Sequence, residues 1–306
     1  MAYLCLAAAM AIVGSSVVVG KLIVESFPVL LGSGLTSAVA ATVLVPLLLV
    51  RERGVPAVAP RDLGILAFQA FTGSFLWRIL LFYGLIFTTA AESGIITSTT
   101  PAAVGALSFL LLRERLSWNT NAGIGLAVLG VLAINWVGAA DAQRGSNPLL
   151  GTLLIFGSVL GEASFTICGK AVSGRVGPLT ISAAVTVFSL LMFLPFSIYQ
   201  AVGFDFSSVS FRGWASLVYF GVILNVVAFL LWFQGVSRVP ASTAGVFTGV
   251  LPVSAVALSY VVLGEPFLWS HLIGGACVVL GIVLIARRGS EVAERPPAPS
   301  ERGRVG

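Results

Sequence analysis

The chain has 306 residues, 58% of them hydrophobic and 9% charged, with a mean hydropathy of +1.03. A soluble domain carries about 25% charged residues, so this composition excludes a fold whose whole surface faces water. The formal charge of +5 sits in connectors and the tail rather than on a basic face interleaved with aromatics, which argues for membrane topology and against a nucleic-acid partner.

Runs near twenty residues with few charges recur along the chain, the mark of spanning helices rather than of a barrel's short alternating strands. The first run, 3–24, has no basic leader and reads as a span, not as a cleaved signal. The next are 31–50, 63–84, 92–112 and 119–138, followed by 150–172, 178–201, 213–234, 243–263 and 269–286. Turn-rich or charged connectors such as "RERGVPAVAPRD" (51–62), "GAADAQRGSNP" (138–148) and "GFDFSSVSFRG" (203–213) separate them. The segment 287–306, rich in Pro, Gly and charge, predicts a disordered tail. Cys5, Cys168 and Cys277 stand singly in apolar runs and specify neither a disulfide framework nor a zinc site. The expected fold is an all-α integral membrane protein with ten transmembrane helices.

Two segments repeat at a constant offset of 151. "LSFLLLRERLSW" (107–118) matches "LSYVVLGEPFLW" (258–269), and laying 84–134 on 235–285 without a gap gives 16 identities in 51 pairs. A weaker echo links "VVVGK" (17–21) to "TICGK" (166–170). The reading is two five-helix units, 1–138 and 149–286, followed by the tail 287–306. Because five is odd, the second unit crosses the membrane in the opposite sense, which is the inverted repeat of many secondary transporters. With the N-terminus inside, Arg51, Arg53, Arg61, Arg113, Arg115, Lys170, Arg175, Arg238, Arg287 and Arg288 face the cytoplasm and only Lys21, Arg144 and Arg212 face outward. That asymmetry predicts both termini inside. Glu114 and Glu265, shared by the two copies, are expected to bond the free N–H groups at the start of the helix that follows each.

The stretches "TTAAESGIITSTTPAAVGALSFLLLRERLSW" (88–118) and "STAGVFTGVLPVSAVALSYVVLGEPFLW" (242–269) resemble the paired domains of the drug/metabolite transporter superfamily, EamA type. The resemblance covers essentially residues 1–286. It implies ten helices around a central cavity and export of small metabolites such as amino acids from a bacterial cytoplasm, hence an inner-membrane location.

Charges inside a bilayer cost about 2.5–3.5 kcal/mol each on the insertion scale, so each needs a reason. Glu162, mid-span in "FGSVLGEASFTICGK", is a candidate to bind a substrate ammonium or carry a proton; a structural acceptor between helices is the alternative. Arg78 in "SFLWRILLFYG" and Glu92 lie at similar depth; they pair as a clamp or gate, or Arg78 meets a substrate carboxylate. Lys21 and Lys170 hold matching places in the two units, as gate residues or as snorkelling side chains. Asn225 is a candidate cavity residue, and Trp77, Phe165, Tyr219 and Trp232 are candidate walls for an apolar side chain; packing is the competing reading. Pro101 and Pro252 match across the repeat, as hinges or fixed kinks. Gly157-x-x-x-Gly161 and Gly245-x-x-x-Gly249 favour close helix approach. His271, the one histidine, reads as an interface residue.

The functional expectation is a secondary exporter that works by alternating access around a midplane cavity, as a monomer or weak homodimer in the lipid bilayer. Its partners are a small-molecule substrate, amino acids foremost and of aromatic or hydrophobic type, with protons as the candidate coupling ion. No cofactor or metal is called for, and no G-x-x-x-x-G-K-[ST] motif for ATP is present. A channel-like protein and a non-transporting membrane scaffold are the alternatives. An intramembrane enzyme would need a Ser/His, paired-Asp or metal-ligand set, which one histidine and loop aspartates such as Asp141 and Asp205 do not supply.

Overall fold

The computed structural model describes residues 2–54, 56–100, 102–103, 106–107, 118–137, 146–172, 175–231 and 250–293, and among these every regular element is helical. In chain order they are α1 (Ala2–Ser26), α2 (Val29–Arg51), α3 (Pro60–Phe87), α4 (Ala90–Thr97), α5 (Trp118–Val137), α6 (Pro148–Val172), α7 (Pro178–Ala201), α8 (Phe211–Leu231), α9 (Val250–Leu258) and α10 (Trp269–Ala293). Six of them, α1, α2, α3, α6, α7 and α8, are long and apolar enough to cross a membrane. The remaining expected spans fall on α4, α5, α9 and α10, which lie partly outside the described residues or have undescribed side chains.

Burial is inverted relative to a soluble protein. Leu153 and Leu160 on α6, Phe196 and Tyr199 on α7, and Leu129 and Leu132 on α5 are exposed, whereas Ser33, Thr36, Ser37, Gln69, Arg78 and Glu92 are buried. Lipid tails solvate the former as well as a protein core would, so the polar groups gather inside, where other helices can satisfy them. The central apolar packing joins Val17 and Val18 of α1, Phe82 and Leu85 of α3, Ile155 and Val159 of α6, and Phe220 and Leu224 of α8.

The principal helix pairings are α3 with α6, α5 with α10, α2 with α7, α1 with α8, α1 with α9, α3 with α7, α2 with α8, α4 with α9, α4 with α6 and α1 with α3. Small residues set the closest of them. Gly161 and Gly157 of α6 lie against Thr72 and Leu80 of α3, as the Gly-x-x-x-Gly spacing predicts; a β-carbon on Gly161 would stand 2.7 Å from the Thr72 carbonyl oxygen. The Gly245-x-x-x-Gly249 pair lies outside the described residues.

Two polar ties mark opposite ends of α3. At its C-terminal end the Lys21 ammonium donates to the carbonyls of Leu85 and of Thr88, the latter at 3.0 Å. There Gly264 ends the π turn Ser259–Leu263 with a left-handed φ of 66°, a conformation glycine adopts without a β-carbon penalty. The next residue, Glu265, accepts from the N–H groups of Ala90 at 2.7 Å and Ala91 at 2.9 Å. Glu265 thus caps a helix start as expected, but that of α4 and not of the α10 that follows it. The chain leaves the π turn toward α4, whose first N–H groups are closer at hand. Glu114 lies outside the described residues. At the N-terminal end of α3, Arg175 holds Asp62 through Nε and Nη2, with a shortest contact of 2.6 Å. This tie fastens α3 to the connector between α6 and α7.

Candidate functional site

Two helices widen at facing places. Within α3 the backbone takes π geometry over Phe71–Leu76, and within α8 over Tyr219–Ala228. The offset of 151 that aligns the repeat carries Gly73 onto Leu224, Ser74 onto Asn225 and Arg78 onto Phe229. All six of these residues line one cavity of about 130 Å³. π turns leave backbone groups loosely bonded and recur at functional sites. Here a pair of them flanks one space.

The rest of the lining comes from Ser37 of α2, Trp77 of α3, Phe165 of α6, and Ser182, Val185, Thr186 and Ser189 of α7. An apolar space of about 210 Å³ shares Ser182, Asn225 and Phe229 with it and continues past Leu44 and Leu179 toward the start of α7. The walls therefore combine hydroxyls and one carboxamide with the rings of Trp77, Phe165 and Phe229. Ser74 donates across to Ser189 at 2.9 Å, and Gln69 Nε2 donates to the Phe165 carbonyl at 3.1 Å, fixing α3 against α7 and α6.

Among the described residues Arg78 is the one charged side chain in the lining, and it is 4% exposed. Its Nη1 donates to Thr36 Oγ1 and Ser37 Oγ, both at 2.9 Å, and to the Ser33 carbonyl at 3.2 Å, while Cζ stands 5.3 Å from the centroid of Phe220. Arg78 Nε and Trp77 Nε1 are buried with no hydrogen-bond partner among the described residues.

The other candidate residues fall as follows. Glu162 does not line the cavity; its Oε2 accepts from Thr100 Oγ1 at 2.9 Å, linking α6 to the α4 segment. Tyr219 also lies outside the lining, its hydroxyl sharing a 3.1 Å hydrogen bond with Ser15 of α1. Glu92 is buried and accepts from Thr88 Oγ1, so the structure gives Arg78 and Glu92 separate hydrogen-bond partners, on α2 and on the α3–α4 turn. Lys21 donates to backbone carbonyls, because the end of α3 offers two acceptors beside it. His271, expected at the interface, is 3% exposed and bonds Tyr260 at 3.0 Å. Trp232 and Pro101 lie outside the described residues, and of Lys170 and Pro252 only the backbone is described, within α6 and α9. Sequence reasoning passed over Ser33, Thr36 and Ser37. Their spacing of three and four residues in "SGLTS" is the readable signal of a polar stripe on one helix face.

Both halves of the chain, residues 1–136 and 149–287, match the model of the EamA-like transporter family. The chain is 51% identical over 281 residues to an uncharacterized transporter, YetK, of Bacillus subtilis (strain 168), covering 92% of this chain and 85% of that protein. It is 27% identical over 241 residues to a probable terminal-alkyne amino-acid exporter of Streptantibioticus cattleyicolor, covering 77% of each. A solved crystal structure superposes with a TM-score of 0.62 at 19% identity, over 96% of this chain and 99% of that one, a likeness of fold.

Proposed function

The chain belongs to the EamA-like transporter family, and we propose that it is a secondary exporter of small metabolites, with hydrophobic or aromatic amino acids and related compounds as the leading class. One observation carries this reading: a polar cavity enclosed mid-helix by Arg78, Asn225, Trp77 and Phe165, between the π turns of α3 and α8. A membrane helix exposes hydroxyl, carboxamide and guanidinium groups to an internal space only at a cost, and a substrate passing through that space is what makes the arrangement useful. The amino-acid class draws on the name of the Streptantibioticus relative and on the aromatic walls.

The transport cycle is alternating access between two inverted five-helix repeats, ten helices in all, with both termini in the cytoplasm of a bacterial inner membrane. Support comes from the helix pairings. Exchanging each helix with the one five places along turns the α3–α6 contact into α8–α1 and the α1–α9 contact into α6–α4, while α2–α7 and α5–α10 map onto themselves. Residues on the axis of such an exchange face both halves, which is where an alternating site belongs. Lys21 and Glu265 act at the outer mouth by holding α1, the α3–α4 turn and the α9–α10 connector together. Asp62 with Arg175 does the same at the inner mouth. Glu162 couples α6 to α4 through Thr100.

Counterflow in proteoliposomes tests the reading. Vesicles preloaded with an unlabelled hydrophobic amino acid should take up the labelled form transiently and saturably, and Asn225→Ala should cut that uptake at least tenfold. Flux that rises linearly with concentration without exchange would indicate a channel, and no flux for any small metabolite would indicate a scaffold.

A further inference from the structure

We propose that Arg78 is the residue that binds a carboxylate of the transported molecule, and that the cavity selects its cargo by one acid group and not by an amine. The proposal rests on the transporter reading above and names the substrate class of the same site.

The starting point is a charge without a counter-charge. Arg78 is buried mid-helix, and among the described residues no carboxylate stands within ion-pairing distance of it. Buried guanidinium groups are ordinarily paired, because a bare charge in a low-dielectric interior is costly. Hydroxyls and a carbonyl from α2 solvate one corner of the group, Nη1, and leave the net charge in place.

How the group is held then decides what it can bind. Nη1 is saturated by three acceptors, which orient the planar fork, whereas neither Nε nor Nη2 has a hydrogen bond among the described residues and Nε is buried. The Nε–Nη2 edge is the side of a guanidinium that grips a carboxylate with two parallel bonds. This chain uses that same edge elsewhere: Arg175 holds Asp62 through Nε and Nη2. In Arg78 the equivalent edge has no hydrogen bond among the described residues, and the residue lines the cavity. The neighbouring Trp77 supplies a further buried donor, its Nε1, without a partner among the described residues.

The rest of the lining narrows the class. Among the described residues no acidic side chain lines the cavity, so a substrate ammonium would meet hydroxyl oxygens and the carboxamide oxygen of Asn225 there. One guanidinium balances one negative charge, which suits a carboxylate and leaves a phosphate dianion half-neutralised. Phe165, Phe229, Leu224 and Val185 provide apolar surface for the remainder of the molecule. The class is an apolar monocarboxylate, in which an α-amino group is tolerated but not required.

The test uses the full-length protein in liposomes loaded with a desalted small-molecule extract of bacterial cytoplasm, with mass spectrometry of what leaves relative to protein-free vesicles. The expected result is efflux dominated by carboxylates with apolar bodies. The fastest-leaving species is then compared as its free acid, its primary amide and its decarboxylated amine, and the acid should move at least tenfold faster than either. Arg78→Gln should abolish the preference, Arg78→Lys should keep part of it, and Trp77→Phe, which removes a donor and leaves the ring, should weaken it severalfold. Equal rates for acid and amide would overturn the proposal and leave the transporter reading standing, as would efflux led by amines or phosphate esters. Folded Arg78→Gln that exports the acid at the wild-type rate would overturn it as well. No efflux of any species from wild-type vesicles would overturn the transporter reading, and the proposal with it.

Discussion

Replacing Glu265 by glutamine removes a charge and almost no volume. The wild-type carboxylate places its two oxygens on the first two N–H groups of α4, at 2.7 and 2.9 Å, in a partly buried setting beside the Lys21 tie. A carboxamide can keep one of those acceptor contacts and must turn its NH₂ away from the other N–H. The loss is about one charge-assisted hydrogen bond, roughly 1.5–3 kcal/mol, together with the carboxylate's attraction to the positive end of the helix, about 0.3–1 kcal/mol. The sum is on the order of 2–4 kcal/mol, or roughly 30- to 800-fold in the equilibrium that keeps this end fastened. Glu265→Ala, which loses both acceptors, should cost more, and Glu265→Asp, which cannot span the same distance, should resemble alanine more than glutamine. Unfolding of the purified protein by SDS in mixed micelles, followed by tryptophan fluorescence, reads the loss. Wild-type stability within about 0.5 kcal/mol, the range of an ordinary surface substitution, would refute the reasoning, since it would mean that water serves those N–H groups as well as the carboxylate does.

Glu162→Gln should reduce counterflow at least tenfold while insertion and detergent stability stay near wild type; normal flux would remove Glu162 from the transport cycle. Gly161→Ala brings a methyl to 2.7 Å from a backbone carbonyl that cannot swing aside, so α6 must move off α3 at a cost of about 1–3 kcal/mol. Gly177→Ala, with nothing within 4 Å, is the neutral control in the same SDS titration. In the connector between α7 and α8, the hydroxyl and N–H of Ser207 hold the Asp205 carboxyl below the usual carboxylate range. A depressed acid stabilises its fold above the unfolded value of about 3.9 and loses that contribution as pH falls below it. Amide exchange over 203–209 should therefore quicken only below about pH 4, and in Asp205→Asn that acid-dependent step should disappear.

Hydropathy alone located the six long helices, because a span must be apolar over its length: the expected 31–50 and 178–201 appear as Val29–Arg51 and Pro178–Ala201. Four of the cavity residues, Arg78, Trp77, Phe165 and Asn225, were visible as polar or aromatic groups at mid-span. What depth along a helix cannot convey is direction around it. Glu162 has the right depth and faces Thr100 instead. Arg78 was expected at the depth of Glu92, yet it is the hydroxyl stripe of α2 that reaches it. Glu265 had a helix start to cap in either direction, and local sequence offered no way to choose the distant one. The sequence identity at an offset of 151 was legible from 84 to 134. It faded at 71–76, where backbone geometry matches the other half although Gly73 faces Leu224 and Ser74 faces Asn225.

Each π turn is an α-helix carrying one residue more than its length requires, and surplus of that kind behaves as slack in the winding. If a helix sheds the surplus, everything beyond it rotates by roughly 100° and travels about 1.5 Å along the axis. Arg78 stands two residues past the first π turn and Phe229 directly past the second. Unwinding either would swing a charge or a ring away from the cavity and carry the short remainder of that helix round with it, while the part before the π turn stays where it is. The two walls thus carry a rotary adjustment of their own, separate from any tilting of whole helices.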